Sequence, residues 1–332
     1  MIVAAAKLVA DTFGKDIEKK PTRDGFGTGT VEAGKLDPNV VVLCADLKES
    51  TRAEWFEKEF PDRYIEVGVA EQNLATVAAG LAAVGKVPFF ASYAAFSPGR
   101  NYEQIRTSIA LNNRKAIVCG MHAGISVGPD GATHQMLEDI GLMRSLPGMN
   151  VIVPADAEEA RKAVMAAAVA PGPSYIRFGR TAVPTFTTPE TPFRIGKALM
   201  LWKSEKPVLA LMATGPSAYD ALLAARALES DGIGTIVLSV PSVKPLDEEA
   251  VLEAAKLAGR VITIEEHQVM GGFGSAIAEF LSGTYPVLVE RMGMIDSFGQ
   301  SGDPKELMEH YKLDSTAIAA KARSLVGERK II

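Results

Sequence analysis

From residue 40 onward, β-branched apolar runs alternate with alanine-rich segments whose apolar positions recur at the helical period. That alternation predicts a parallel sheet covered by helices, because strands buried on both faces read as unbroken apolar runs and each parallel crossover needs a helix. A first series of strands is expected at Val40 to Asp46, Tyr64 to Val67, Val87 to Ser92, Ala116 to Met121, Val151 to Ala155 and Tyr175 to Phe178. Helices are expected between them at Gln72 to Val84 and Ala157 to Ala168, the second opening on Asp156 as a cap with Glu158 and Glu159 in its first turn. Thr181 to Pro192 carries three prolines and no apolar period, which predicts a linker. A second, smaller series follows at Val208 to Thr214, Thr235 to Val240, Val261 to Glu266 and Val287 to Arg291, with helices beginning near Ser217, Asp247 and Gly272. The expected fold is therefore α/β: two mostly parallel-sheet, three-layer domains, residues 1–185 and 194–332, joined by a linker at 186–193.

Composition narrows the function classes. A chain of 332 residues with 47% apolar and 23% charged residues has ordinary globular usage. Lysine and arginine number 35 against 40 acids, a net charge of −5 with no basic window, so neither nucleic acid nor an anionic membrane surface is an expected partner. Cys44 and Cys119 sit in apolar strands with neither disulfide-framework nor zinc spacing, and read as reduced core thiols of a cytoplasmic protein. The opening MIVAAAKLVADTF has no basic leader before its apolar run, and no stretch approaches the ~20 apolar residues of a membrane span.

Parallel sheets bind ligands beyond the carboxyl ends of their strands, so the loops that follow strands carry the search for chemistry. In EVGVAEQN, a strand passes through Gly68 into a helix that starts near Ala70, placing Glu71 at a helix amino terminus. Glu71 either complements the helix dipole or faces a cleft, where a desolvated acid can share a proton with a basic ring nitrogen. In FFASYAAFSPGRNY, aromatic residues at 93, 96 and 102 surround a Ser-Pro-Gly turn, either as core or as a platform for a flat ligand. MHAGISVGPDGATHQ is a long glycine-rich loop with His122, Asp130 and His134, better suited to hydrogen-bonding a hydroxylated substrate than to a metal. GFGTGT at 25–30 follows no strand, so a dinucleotide role is not indicated. GGFGSAIAEF at 271–280 reads as a close-packing turn ahead of a helix rather than a phosphate nest.

Taken together, VAEQN, SYAAF, HAGISVGPDGATHQ, RSLPGMNVIVPAD and EEHQVMGGFG closely resemble the carboxyl-terminal half of transketolase, in the family's order and across nearly the whole chain. The resemblance implies a pyrimidine domain, which holds the aminopyrimidine ring of thiamine diphosphate, followed by the transketolase C-terminal domain. The Gly-Asp-Gly that opens the family's metal and diphosphate motif is missing from this sequence. A split transketolase is implied, its N-terminal, diphosphate-binding subunit a separate polypeptide carrying Mg2+ or Ca2+, the two assembling as an α2β2 heterotetramer acting on sugar phosphates. On this resemblance Glu71 is the activating carboxyl; Phe96, with Tyr93 beside it, stacks on the pyrimidine. Asp130 and His134 meet substrate hydroxyls near the reacting carbons. Arg23, Ser50, His122 and Arg180 hold the sugar phosphate. The chain departs from the family where Ala-Gly follows His122 and where SPGRN displaces a tyrosine usual past the stacking ring, with Tyr102 as a possible replacement. The alternatives are a 1-deoxyxylulose-5-phosphate synthase, which has Gln-His where this chain has Gln72-Asn73; a β-type subunit of an oxo-acid dehydrogenase; and a non-catalytic partner module.

Overall fold

The strand Val40–Cys44 lies inside a seven-stranded sheet in the computed structural model, which describes residues 1–327; residues 328–332, the end of the expected C-terminal domain, lie outside the described part. The strand order is Ser242–Lys244, Asn150–Ile152, Ser174–Arg177, Ile117–Met121, Val87–Tyr93, Val40–Cys44, Tyr64–Glu66. Every neighbouring pair is parallel except the first. The chain runs from Val40–Cys44 outward to Tyr64–Glu66, then crosses back to Val87–Tyr93 on the other side. Val40–Cys44 is thus the topological switch point, where adjacent crossovers diverge and leave a crevice at the strands' carboxyl ends.

Alternate residues of these strands supply two different cores, as a sheet covered on both faces requires. Val40, Val42 and Cys44 pack with Phe26, Ala160 and Val164 from the helices Thr22–Leu36 and Ala157–Val169. Val41 and Leu43 face the other way, toward Leu74, Ala75 and Ala78 of Glu71–Ala83, and that core continues without a break to Met212 and Ile236 of the second sheet. Leu43 is fully buried, a burial that contributes roughly 1.5–3 kcal/mol. The second sheet has the order Leu288–Met294, Arg260–Gln268, Leu209–Ala213, Thr235–Ser239, Leu199–Lys203; only the last pairing is antiparallel. Its far face is covered by Ser217–Ser230 and Ser315–Gly327.

All ten expected strands are present within a few residues of their expected ends. Asp156 caps its helix by accepting from the Glu159 N–H at 2.9 Å. Three features differ from expectation or extend it. The GFGTGT segment is the start of a helix, and its glycines permit close helix packing: a Cβ on Gly25 would sit 2.1 Å from the Ala157 carbonyl oxygen. The proline-rich segment 181–192 is tied down: Phe186 is fully buried, and Asp156 accepts from the backbone N–H groups of Phe186 and Thr187 at 2.9 and 2.7 Å. A strand from the second half of the chain, Ser242–Lys244, joins the edge of the first sheet. The turn at 271–274 leaves no vacancy for a phosphate, because the buried Glu265 carboxylate already accepts from Phe273 N–H at 2.6 Å and Gly274 N–H at 2.8 Å. Both cysteines are buried free thiols; burial raises Cys44 to about 11. No helix among the described residues is long and apolar enough to cross a membrane.

Candidate active site at the sheet's carboxyl edge

Five strands of the first sheet deliver the expected residues to one edge. Ser50 follows Val40–Cys44 and Glu71 follows Tyr64–Glu66. Tyr93 ends Val87–Tyr93, with Phe96 just beyond it. His122, Asp130 and His134 follow Ile117–Met121, and Arg180 follows Ser174–Arg177. Arg23 enters from the first turn of Thr22–Leu36.

Glu71 is the first residue of its helix and only 2% exposed. A bare carboxylate buried to that degree is costly, and here it is paired: Arg100 Nη1 donates to Glu71 Oε2 at 2.7 Å. Asn101 Nδ2 donates to the Glu71 carbonyl at 2.8 Å and to Ser97 Oγ at 3.1 Å, fixing the aromatic loop to the start of the helix. The Arg100 guanidinium lies over the Phe96 ring, 4.6 Å from its centroid. Phe96 and Tyr93 stack at 5.9 Å with 23° between their planes, and His134 meets Phe96 edge-on at 5.4 Å. The Tyr102 hydroxyl instead pairs with Ser145 Oγ at 3.1 Å, so Arg100, not Tyr102, occupies the face of Phe96.

The second cluster adjoins Tyr93, whose ring is 4.1 Å from that of His122. Arg23 Nη1 donates to the Ser50 carbonyl at 2.7 Å and to His122 Nε2 at 2.9 Å. A guanidinium has no acceptor, so Nε2 must be the unprotonated nitrogen and His122 is a neutral imidazole with its proton on Nδ1. Burial, with the Arg23 and Arg180 charges, lowers His122 to about 3. Burial also lowers Arg23 from its usual value. His122 Nδ1 and Arg23 Nε are buried with no partner among the described residues. Two unsatisfied donors on one cationic wall suit an oxygen-rich anion. Ser50 offers its carbonyl to Arg23. Asp130 and Arg180 pair with each other at 3.2 Å, and Arg180 also donates to the Val127 carbonyl at 3.1 Å.

The loop of residues 122–135 opens on a left-handed backbone. His122 takes φ +53° and Gly124 φ +88°, and a Cβ on Gly124 would lie 2.4 Å from Glu266 Oε2. Arg100, Asn101 and Glu266 were not singled out by sequence reasoning. For Arg100 the signal was a cation four residues past a stacking aromatic, in the place of an expected tyrosine. Among the described residues no group of three or more His, Cys, Asp or Glu side chains could hold a metal ion.

A buried carboxylate beside stacked aromatics, flanked by a cationic wall, sits at the carboxyl ends of parallel strands beside a switch point, where open α/β sheets bind their ligands. Models of the transketolase pyrimidine-binding domain and the transketolase C-terminal domain match residues 18–185 and 196–318, and the chain belongs to the transketolase family, which is thiamine diphosphate-dependent. Within it, the chain is similar to separately encoded C-terminal sections. It is 40% identical over 306 residues to a putative transketolase C-terminal section of Methanocaldococcus jannaschii, covering 91% of this chain and 95% of that protein. It is 39% identical to a 6-deoxy-6-sulfo-D-fructose transketolase subunit of a Clostridium species, covering 96% and 98%. A split-gene transketolase, solved as an inactive β4 tetramer, superposes with a TM-score of 0.86 at 43% identity over 93% of this chain and 99% of that one. The transketolase of Rattus norvegicus is 34% identical over 93% of this chain but only 49% of its own length, so the chain spans about half of such relatives.

Proposed function

We propose that this chain is the C-terminal subunit of a split transketolase, transferring a two-carbon ketol unit from a ketose phosphate to an aldose phosphate together with an N-terminal subunit that binds the cofactor's diphosphate through Mg2+ or Ca2+. The observation that carries the reading is Glu71: a carboxylate 2% exposed, already engaging a planar N–H donor that lies on Phe96. An aminopyrimidine is likewise planar, and its ring nitrogen accepts a hydrogen bond from a protonated carboxyl where the guanidinium donates one to a carboxylate, so the residues fit thiamine diphosphate. When bound, that cofactor supplies the nucleophilic carbon and the electron sink. The Glu71 carboxyl would hold the proton shared with the pyrimidine nitrogen, and Phe96 with Tyr93 would fix the ring plane. His134, edge-on to Phe96, and Asp130 hydrogen-bond the substrate hydroxyls, while Arg23, Arg180, Ser50 and neutral His122 hold its phosphate.

The division into residues 1–185 and 194–332 belongs to this reading, as does an α2β2 assembly. The inactive β4 tetramer formed by the split-gene relative supports the view that such a chain alone lacks half of its site. The test is to combine the purified chain with its diphosphate-binding partner, thiamine diphosphate and magnesium, and to follow two-carbon transfer from xylulose 5-phosphate. Glu71→Gln should lower the rate by about 10²–10⁴-fold, the range for a positioned proton-transfer group. An unchanged rate would overturn the assignment.

A further inference from the structure

We propose that Arg100 is a built-in stand-in for the cofactor's aminopyrimidine: it occupies that ring's place in the unloaded subunit and must be displaced for thiamine diphosphate to seat. The inference rests on the function proposed above and goes beyond it, since it concerns a residue assigned no role there.

Three observations converge. The guanidinium is planar and cationic, and its carbon sits 4.6 Å over Phe96, the ring expected to stack on the pyrimidine. Its Nη1 donates at 2.7 Å to Oε2 of Glu71, whose carboxyl is the group expected to share a proton with the pyrimidine nitrogen. One side chain therefore engages both recognition elements at once, and a ring stacked on the side of Phe96 that faces Glu71 would have to take the guanidinium's place. The two ends of the pair are also unequally exposed, with Arg100 49% and Glu71 2% accessible. Glu71 is anchored by its helix and by Asn101, so Arg100 is the partner that can leave, and its charge can return to water at small cost.

The consequence is a competition within the chain. Without a partner, Glu71 would be an unpaired buried carboxylate, and Arg100 prevents that state. Loading exchanges a guanidinium N–H donor for a pyrimidine ring nitrogen that brings no proton of its own, so Glu71 takes up one proton from solvent as Arg100 leaves, the net gain in hydrogen bonding is small, and the grip on the diphosphate must supply the driving force. A lone subunit is thereby kept from holding the pyrimidine alone. Apparent cofactor affinity is reduced by the fraction of molecules in which Arg100 is in place.

The test uses the assembled complex with magnesium, titrating thiamine diphosphate by calorimetry. Arg100→Ala should tighten binding by about three- to tenfold, because the competing state is removed. The same substitution should lower the melting temperature of the isolated chain, where Glu71 loses its partner, and Arg100→Gln, which keeps one N–H donor, should fall between wild type and alanine in both readouts. In a Glu71→Gln background, replacing Arg100 should change affinity much less than it does beside Glu71. Weaker or unchanged cofactor binding in both Arg100 variants would overturn the proposal, because it would make Arg100 a cofactor contact or a bystander. That failure is distinct from failure of the functional reading, in which the wild-type complex would bind no thiamine diphosphate or Glu71→Gln would leave turnover intact; either result would remove the present inference as well.

Discussion

The neutrality of His122 can be tested by acid. Its imidazole is buried against Arg23, with a lowered pKa of about 3 against an unperturbed 6.5. Below pH 6.5 the unfolded chain takes up a proton on this residue that the native chain refuses until about pH 3. Native stability therefore carries the full contribution of His122 above pH 6.5 and loses it as pH falls through that window, at roughly 1.4 kcal/mol per pH unit for one proton. Between pH 6.5 and about 4.5 that amounts to about 3 kcal/mol as an upper bound. His122→Gln removes the titrating group while leaving an amide oxygen to accept from Arg23. At neutral pH the variant should be less stable, since it loses the ring packed 4.1 Å from Tyr93. As pH falls the gap should close and then reverse. Urea unfolding of both proteins at matched concentration, in steps across this range, measures it. Burial raises Glu159 to about 8 and Asp220 to about 7, and both act with the opposite sign, losing stability as pH rises, but they are common to the two proteins and cancel in the difference. Parallel stability curves for wild type and His122→Gln would refute the argument, because they would mean that His122 takes up its proton equally in both states.

Two further perturbations test the packing that places the site. Arg177 Nε donates to the fully buried Asp139 carboxylate at 2.8 Å, so Arg177→Met should cost roughly 3–5 kcal/mol by stranding that charge, and Asp139→Asn added to it should recover part of the loss in thermal unfolding. Gly25→Ala forces a Cβ against the Ala157 carbonyl and should destabilise by ~1–3 kcal/mol, whereas Gly80→Ala, in open space inside the helix Glu71–Ala83, should stabilise by up to ~1 kcal/mol. Equal effects of the two glycine substitutions on the unfolding midpoint would show that close helix packing is not why Gly25 is there.

The first sheet was legible because its strands are buried on both faces, and continuous runs such as VVVLC leave little choice of structure. The antiparallel edge strands of the two large sheets, Leu199–Lys203 and Ser242–Lys244, were not, since a few residues at a sheet edge carry too weak a period. The helix Thr22–Leu36 was hidden by its own glycines, whose helix-breaking tendency is outweighed by the contact they permit with Ala157–Val169. The tethering of Phe186 and Thr187 was invisible for a different reason: it depends on the second oxygen of Asp156, and a sequence does not say how many donors a capping carboxylate will accept. In the candidate site, the position of Glu71 followed from a strand, a glycine and a helix start. Its partner Arg100 did not, because a 29-residue separation between members of an ion pair leaves no local pattern.

The second half of the chain acquires a role from these contacts that its sequence alone does not give. Glu266, at the carboxyl end of Arg260–Gln268, accepts from Ser126 N–H at 3.1 Å through its side chain and from Arg177 at 2.8 Å through its carbonyl. Gln135 reaches the Gln300 carbonyl at 3.0 Å and the Ile125 carbonyl at 3.1 Å, and Gln268 N–H donates to the Leu137 carbonyl at 2.9 Å. The loop that carries His122, Asp130 and His134 is therefore bonded along its inner side to the second half of the chain, while His122 itself hangs from a left-handed backbone at φ +53°. Such a path persists only when the surroundings over-determine it. One half of the chain presents the candidate site, and the end of a strand from the other half fixes the loop that carries three of its residues.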